Sequence, residues 1–203
     1  MTAPGRRSRK PRRAASTLGA IDTPAVPAAP GPPPCVSVRL SFIGSRASLT
    51  SWAIRLFSAG PVSHVDAVEP GTGLLWGARF DRVGGQPRGF YPRPASYIAA
   101  ETVHIVVELP CTPEQQAAFW AVTRRAKGEE YDWRGVLGFA LDDDWHRRGT
   151  AFCSEIQRDH LQDPEVGIFP PRFFGPAWKT TPMELLLACT ARNDTVIVSR
   201  KGC

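Results

Sequence analysis

Apolar side chains recur along much of the chain with two different periods, which predict a mixture of strands and helices. Between Val36 and Ile43 apolar and polar residues alternate, as they do in a half-buried strand. The turn sequence Pro70-Gly71-Thr72-Gly73 separates two further apolar runs and predicts a hairpin. Residues 84–97, rich in Gly, Pro and Arg, are expected to form a loop. The predicted strands cover residues 36–43, 63–68, 74–80, 102–109 and 195–199.

Helices are predicted where apolar residues take helical spacing and capping signals precede them. The clearest starts are Thr112-Pro113-Glu114-Gln115 and Thr181-Pro182-Met183-Glu184. In both, a hydroxyl cap is followed by a Pro in the first turn and by Gln or Glu three residues after the cap. The predicted helices cover residues 48–58, 112–127 and 133–141, a segment that opens near Cys153, and a segment after Thr181. This mixture of elements predicts the α+β class.

The first 34 residues differ in composition from the rest of the chain. They hold eight of the twenty prolines and a net charge of +5, whereas the remaining 169 residues are nearly neutral at +1. A basic segment that buries so little apolar surface is expected to be a disordered leader, residues 1–34, before one domain, residues 35–203. Since the folded part is nearly neutral, nucleic-acid binding is not expected, except weakly and salt-dependently through the leader.

Composition also narrows the class of protein. No run approaches 18 apolar residues, so no membrane span is expected, and the Arg-rich start lacks the apolar block of a secretion signal. The expected location is cytoplasmic, with a phage- or lysis-associated route left open. The five cysteines are odd in number and include no C-x-x-C pair, so neither a disulfide framework nor a zinc cage is expected. No metal or other cofactor is implied.

Cys153 is the first candidate for chemistry. It lies in Gly149-Thr150-Ala151-Phe152-Cys153-Ser154-Glu155-Ile156, where a helix is predicted to begin. In a first turn, unpaired N–H groups and the helix dipole stabilise a thiolate, the nucleophilic form of cysteine. The alternative interpretation, a small buried apolar residue, stays open on this evidence.

A cysteine nucleophile needs a base within hydrogen-bond reach, and His64 is the best placed of the four histidines. It precedes a predicted strand in Ser63-His64-Val65-Asp66, where a side chain can point out of the sheet end. His104 is expected to be a core or face residue of a strand and His146 an exposed one, while His160 lies about 10 Å along the helix from Cys153. Asp66 shares a strand face with His64 and is the candidate to orient it. A plain polar role for Asp66, the weaker substitute Asp81, and a Cys–His dyad without a third member stay open.

The motifs around these residues resemble the circularly permuted branch of the NlpC-type papain-like superfamily, which includes YiiX-type hydrolases and lecithin–retinol acyltransferase relatives. In that branch the His precedes the Cys, as His64 precedes Phe152-Cys153-Ser154-Glu155 here by 89 positions. Other segments of residues 36–190 fit the same resemblance. They are Val38-Arg39-Leu40-Ser41-Phe42-Ile43, Leu74-Leu75-Trp76-Gly77-Ala78-Arg79 and Tyr131-Asp132-Trp133.

The resemblance implies a small antiparallel sheet packed on helices, with Cys153 at a helix N-terminus. It implies a thiol amidase or peptidase that cleaves an amide or related acyl bond, in cell-wall peptides or lipid-type amides, so the expected partner is a peptide or acyl-amide substrate. Many relatives carry a polar third residue on the strand after the His, where this chain has Gly77, Ala78 and Arg79. Candidate substrate-binding residues are Arg79, Ser154 and Glu155, although Glu155 also fits a helix cap and Arg79 a surface ion pair. The departure keeps a second hypothesis open: a non-catalytic binding or assembly module on this fold, for example in a phage-derived particle.

Overall fold

The computed structural model describes residues 36–44, 60–99, 103–132, 150–176 and 179–201. All of them belong to one compact unit, residues 33–203. The predicted leader and the helices predicted over 48–58 and 133–141 lie outside the described residues. Within them, the α+β class is confirmed, since three α-helices accompany a six-stranded antiparallel sheet.

The sheet runs in the order β4-β3-β2-β1-β5-β8, and every neighbouring pair is antiparallel. Two further short strands, β6 and β7, form a separate parallel pair. The strands are β1 (Val36–Gly44), β2 (His64–Val68), β3 (Leu75–Arg79), β4 (Gly89–Arg93), β5 (Val103–Cys111), β6 (Glu130–Tyr131), β7 (Thr150–Ala151) and β8 (Val196–Lys201).

Strand β1 lies in the middle of the sheet because both of its faces are apolar enough to be covered. Val38, Leu40 and Phe42 are fully buried on the face that carries the main core. Ile43, on the other face, joins a smaller cluster with Leu75. The alternation that predicted this strand is therefore confirmed, and so is the predicted hairpin of β2 and β3.

The three α-helices are α1 (Pro113–Arg125), α2 (Cys153–Gln162) and α3 (Pro182–Thr190). The capping boxes predicted at Thr112 and Thr181 are both present, and in each the hydroxyl accepts a bond from the backbone N–H three residues later. Each box satisfies N–H groups that the first helical turn would leave without a partner, so these two starts follow from local sequence.

Residues 84–97 are not the plain loop that their composition predicts. Strand β4 lies within them and pairs with β3, and a 3₁₀ helix follows at Ala95–Ile98. The aromatic Phe90 of β4 is fully buried in the core, which stabilises a strand in spite of the neighbouring Gly and Pro residues.

Helix α2 packs on strands β2 and β3 and so brings its N-terminus to the end of the sheet where β2 begins. The buried Gln157 side chain donates to the carbonyl oxygen of Trp76 on β3 at 2.7 Å. Near the other end of the helix, His160 bonds to Thr123 of α1 at 3.2 Å. These contacts fix the helix along its length and therefore fix the position of Cys153, its first residue.

Candidate active site

Cys153 and His64, 89 positions apart in the sequence, are in contact. Each is the first residue of its element, Cys153 of α2 and His64 of β2. A side-chain hydrogen bond and an electrostatic interaction link the thiol and the imidazole. Both residues are largely covered, with exposed fractions of 3% and 7%.

Asp66 holds the far side of the His64 ring. Its Oδ1 lies 2.8 Å from His64 Nε2, and Asp66 is 1% exposed. The two residues share a face of β2 because side chains two positions apart in a strand point the same way. Since Nε2 faces the carboxylate, Nδ1 is the nitrogen that remains for the thiol of Cys153.

The Asp66 carboxylate occupies space that only a glycine leaves free on the neighbouring strand. Gly77 of β3 lies across from Asp66, and a Cβ added there would come within 1.7 Å of Asp66 Oδ1. The position at which the sequence lacks a polar third residue is therefore the position that accommodates Asp66.

Tyr97 completes this cluster and was not among the residues selected from the sequence. Its hydroxyl donates to Asp66 Oδ2 and lies 3.3 Å from His64 Nε2. Burial and the charge of Asp66 raise the pKa of Tyr97 well above its ordinary value, so the phenol stays a hydrogen-bond donor. It belongs to the 3₁₀ helix Ala95–Ile98, most of which lies in the segment where the sequence predicted a loop.

The charges in this cluster support one another. Burial by itself lowers the pKa of His64, but the charges of Asp66 and Cys153 and the hydrogen bonds to both outweigh it and raise the pKa to about 9. Burial likewise raises the pKa of Asp66, and the His64 charge with bonds from His64 and Tyr97 reverses that effect and lowers it. At neutral pH the arrangement therefore favours a protonated His64 beside an ionised Asp66.

Arg79 and Asp81 lie next to the cluster as an ion pair. Arg79 Nε and Nη2 donate to the two Asp81 carboxylate oxygens at 2.9 and 3.1 Å, and its guanidinium lies 5.3 Å from the centre of the Tyr97 ring. Asp81 makes no hydrogen bond to His64, so Asp66 is the carboxylate that contacts the imidazole. A substrate-binding role for Arg79 stays a prediction, while the predicted ion pair is present.

Ser154 and Glu155 each make a hydrogen bond within the protein, and a substrate-binding role for them stays a prediction. Ser154 Oγ donates to the carbonyl oxygen of Thr180 at 2.7 Å, and Glu155 Oε2 accepts a bond from the Phe152 N–H at 3.3 Å. Both are buried. The capping contact expected of Glu155 is therefore present, and these side chains hold the first turn of α2 in place.

Arg93 is a second residue that the sequence did not indicate. It is 1% exposed, and its guanidinium donates four bonds to backbone carbonyls, including that of Gly77 at 2.7 Å. An arginine used in this way ties β3 and β4 together directly behind Asp66. The sequence feature that could have drawn attention to Arg93 is its place between Pro92 and Pro94, after the aromatic pair Phe90-Tyr91.

His104 and His160 have other partners. His104 is half-buried, with Nε2 2.8 Å from Ser41 Oγ, and His160 is buried between helices; burial lowers its pKa to about 4. His146 lies outside the described residues. Across the described part of the chain, no group of three or more His, Cys, Asp and Glu side chains is arranged to hold a metal ion, and no helix has the length and apolarity to span a membrane.

No protein-family model matches the chain, and no curated protein matches it. Among solved structures it is similar to the metalloprotein yiiX from Escherichia coli O157:H7, at 22% identity and a TM-score of 0.44. The match covers 62% of this chain and 64% of that one, less than two thirds of its length.

Proposed function

We propose that this chain is a cysteine hydrolase of the amidase or peptidase type, with Cys153 as nucleophile, His64 as general acid and base, and Asp66 as the residue that orients His64. The observation that carries the proposal is the contact series from the Cys153 thiol through the His64 ring to the Asp66 carboxylate. A nucleophile, its base and a third group that orients the base are the parts that covalent acyl transfer requires.

The chemistry follows from these positions. His64 holds the proton that the Cys153 sulfur gives up, and the sulfur attacks the carbonyl carbon of the substrate. His64 then passes the proton to the leaving nitrogen or oxygen as its bond to carbon breaks, which leaves a thioester on Cys153. In the second half, His64 accepts a proton from water as the water oxygen attacks the thioester. The acid is released, and the pair returns to its starting state with this proton on His64.

The helix start supplies the remaining requirement, which is stabilisation of the oxyanion. The first intrahelical bond of α2 runs from the Ile156 N–H to the Phe152 carbonyl. The N–H groups of Cys153 and Ser154 come before Ile156 in the helix and lie at the positive end of the helix dipole. The Cys153 N–H is the candidate donor to the oxygen that becomes negative when the sulfur attacks.

We also propose that the fold is the circularly permuted papain-like one and that the scissile bond is an amide or related acyl bond, as in cell-wall peptides or lipid-type amides. The supports are the chain order of His before Cys and the packing of the Cys helix on an antiparallel sheet. Peptide or acyl-amide substrates remain proposals because they depend on the motif resemblance.

The experiment compares thiols within one molecule. Limiting iodoacetamide at neutral pH, followed by peptide mass spectrometry, should label Cys153 faster than Cys111 and Cys189; burial raises the pKa of Cys189 to about 12, which makes it an internal reference. Cys153→Ala and His64→Gln should each abolish turnover of p-nitrophenyl acetate, and both should retain the wild-type circular dichroism spectrum. Equal labelling of the three thiols, or turnover that survives Cys153→Ala, would refute the hydrolase.

The burial of the pair favours one second candidate, the non-catalytic binding or assembly module. With exposed fractions of only 3% and 7%, Cys153 and His64 could serve as a structural pair that joins α2 to the sheet. A structural pair predicts a large loss of stability in Cys153→Ala and no labelling of Cys153 in the native protein. A hydrolase predicts the reverse on both measurements.

A further inference from the structure

A cavity of about 400 Å³ lies beside Tyr131, and the described residues that line it are Phe80, Arg88, Glu130 and Tyr131. This volume lies within the range of roughly 300–1,000 Å³ that is usual for small-ligand sites. None of these four residues takes part in the proposed acyl transfer.

One wall of the cavity adjoins the thiol. Tyr131 ends β6 and pairs with Ala151 of β7, two positions before Cys153 in the sequence. An electrostatic interaction links Tyr131 with Cys153. The short parallel pair of β6 and β7 therefore holds the Tyr131 ring on the sulfur side of the candidate site.

The second aromatic residue of the lining is Phe80. Phe80 directly follows Arg79, whose guanidinium lies 5.3 Å from the centre of the Tyr97 ring, and the Tyr97 hydroxyl lies 3.3 Å from His64 Nε2. The ring centres of Phe80 and Tyr131 are 6.1 Å apart. The two rings therefore pack against each other and form one aromatic surface of the cavity.

The lining has the chemistry of an apolar subsite. Burial raises the pKa of Tyr131, so its phenol stays uncharged. Phe80 is 38% exposed, so part of its ring is open to a ligand. Arg88 and Glu130 carry opposite charges, so the described lining has no net charge with which to select an ionic group.

We propose that this aromatic pocket, Phe80 with Tyr131, binds the uncharged, apolar acyl group of the substrate. The proposal rests on the hydrolase proposed above. In that reaction the leaving group takes its proton from His64, while the acyl group stays attached to sulfur. A pocket with a wall on the sulfur side therefore fits the acyl group.

The test uses p-nitrophenyl acetate, butyrate and hexanoate on the full chain. If the alkyl group of the ester fills the pocket, kcat/KM should rise by about fourfold for each added methylene, or about 15-fold from acetate to butyrate. Phe80→Ser should flatten this dependence and Phe80→Leu should keep it. Leu187→Ser is the matched control, since Leu187 is an exposed apolar residue of α3, and it should behave as wild type.

A second measurement separates this proposal from the hydrolase itself. The rate at which N-methyl-, N-propyl- and N-hexylmaleimide label Cys153, each relative to free glutathione, reports the pocket without any turnover. A length dependence that Phe80→Ser removes supports the pocket, even if every ester is inert. Inert esters would refute the hydrolase alone. Ester turnover without length dependence in wild type overturns the pocket alone. If no maleimide labels Cys153, both the pocket and the hydrolase are refuted. A length dependence that Phe80→Ser leaves intact refutes the pocket.

Discussion

Gly77→Ala is the sharpest perturbation of the candidate site because it adds one carbon atom without adding or removing any charge. The new Cβ would come within 1.7 Å of Asp66 Oδ1 and 3.1 Å of the Val65 carbonyl oxygen. No real Cβ tolerates the first contact, so the Asp66 carboxylate has to move by more than 1 Å. That movement breaks its 2.8 Å bond to His64 Nε2.

The expected magnitude follows from what the carboxylate does for His64. A hydrogen bond to a charged group contributes about 1.5–3 kcal/mol, and a misplacement of about 1 Å in a catalytic arrangement costs about 100-fold in rate. We therefore expect kcat/KM to fall by about 100-fold. The pKa of His64, raised to about 9 chiefly by Asp66 against the effect of burial, should fall toward its ordinary value.

The assay is the dependence of iodoacetamide labelling of Cys153 and of kcat/KM on pH, from about pH 5 to about pH 10. Gly175→Ala is the control, since a Cβ added there meets nothing within 4 Å. A double-mutant cycle with Asp66→Ala isolates the contact. Because the carboxylate is already absent in that background, adding Gly77→Ala should change the pH profile little.

Two results would refute this reasoning. If Gly77→Ala keeps the pH profile of wild type and of Gly175→Ala, the Asp66 contact does not set the charge of His64. If instead Gly77→Ala and Asp66→Ala lower activity additively, the loss comes from the approach of the Cβ to the Val65 carbonyl and from strain in β3.

Three further predictions follow from the same contacts. Tyr97→Phe removes only the hydroxyl that bonds the ionised Asp66 and lies near His64, so kcat/KM should fall by at least about tenfold, since a hydrogen bond to a charged group contributes about 1.5–3 kcal/mol. Arg93→Met leaves four backbone carbonyls without their donor and should lower the free energy of unfolding by about 3–5 kcal/mol in urea titrations, a loss that would be refuted by a wild-type midpoint. The His64 pKa is raised in the folded state from 6.5 to about 9, so its contribution to stability is fully present below pH 6.5 and is lost as the pH rises through about 9. The stability difference between wild type and His64→Gln should therefore shrink over that interval by at most about 3 kcal/mol, and a difference independent of pH would contradict the raised pKa.

Local rules predicted the parts of this molecule that depend on neighbours in sequence. The capping boxes at Thr112 and Thr181 need only four consecutive residues, and both are present. Strand alternation alone places His64 and Asp66 on one face. The choice of Cys153 and His64 as a pair depended on comparing the four histidines and on the motif resemblance, because nothing in the 88 intervening positions dictates that a helix start meets a strand start.

Residues 84–97 show why the rest could not be predicted. Their Gly and Pro content argues locally against regular structure, but tertiary pairing with β3 and the burial of Phe90 outweigh that preference. Tyr97 and Arg93 gain their roles only through this pairing. Their partners, Asp66 and the Gly77 carbonyl, lie 31 and 16 positions away in the sequence.

The missing polar residue on β3 and the presence of Asp66 on β2 are one feature of the fold. The Glu69 N–H bonds to the Leu74 carbonyl at 2.8 Å and closes the turn between the two strands. Counting back from that pair along both strands places Ala67 opposite Trp76, as observed, and therefore places Asp66 opposite Gly77. A polar side chain at position 77 and a carboxylate at position 66 would compete for the same space beside His64. Glycine at position 77 of β3 therefore leaves the space in which Asp66, on the same strand as His64, places its carboxylate.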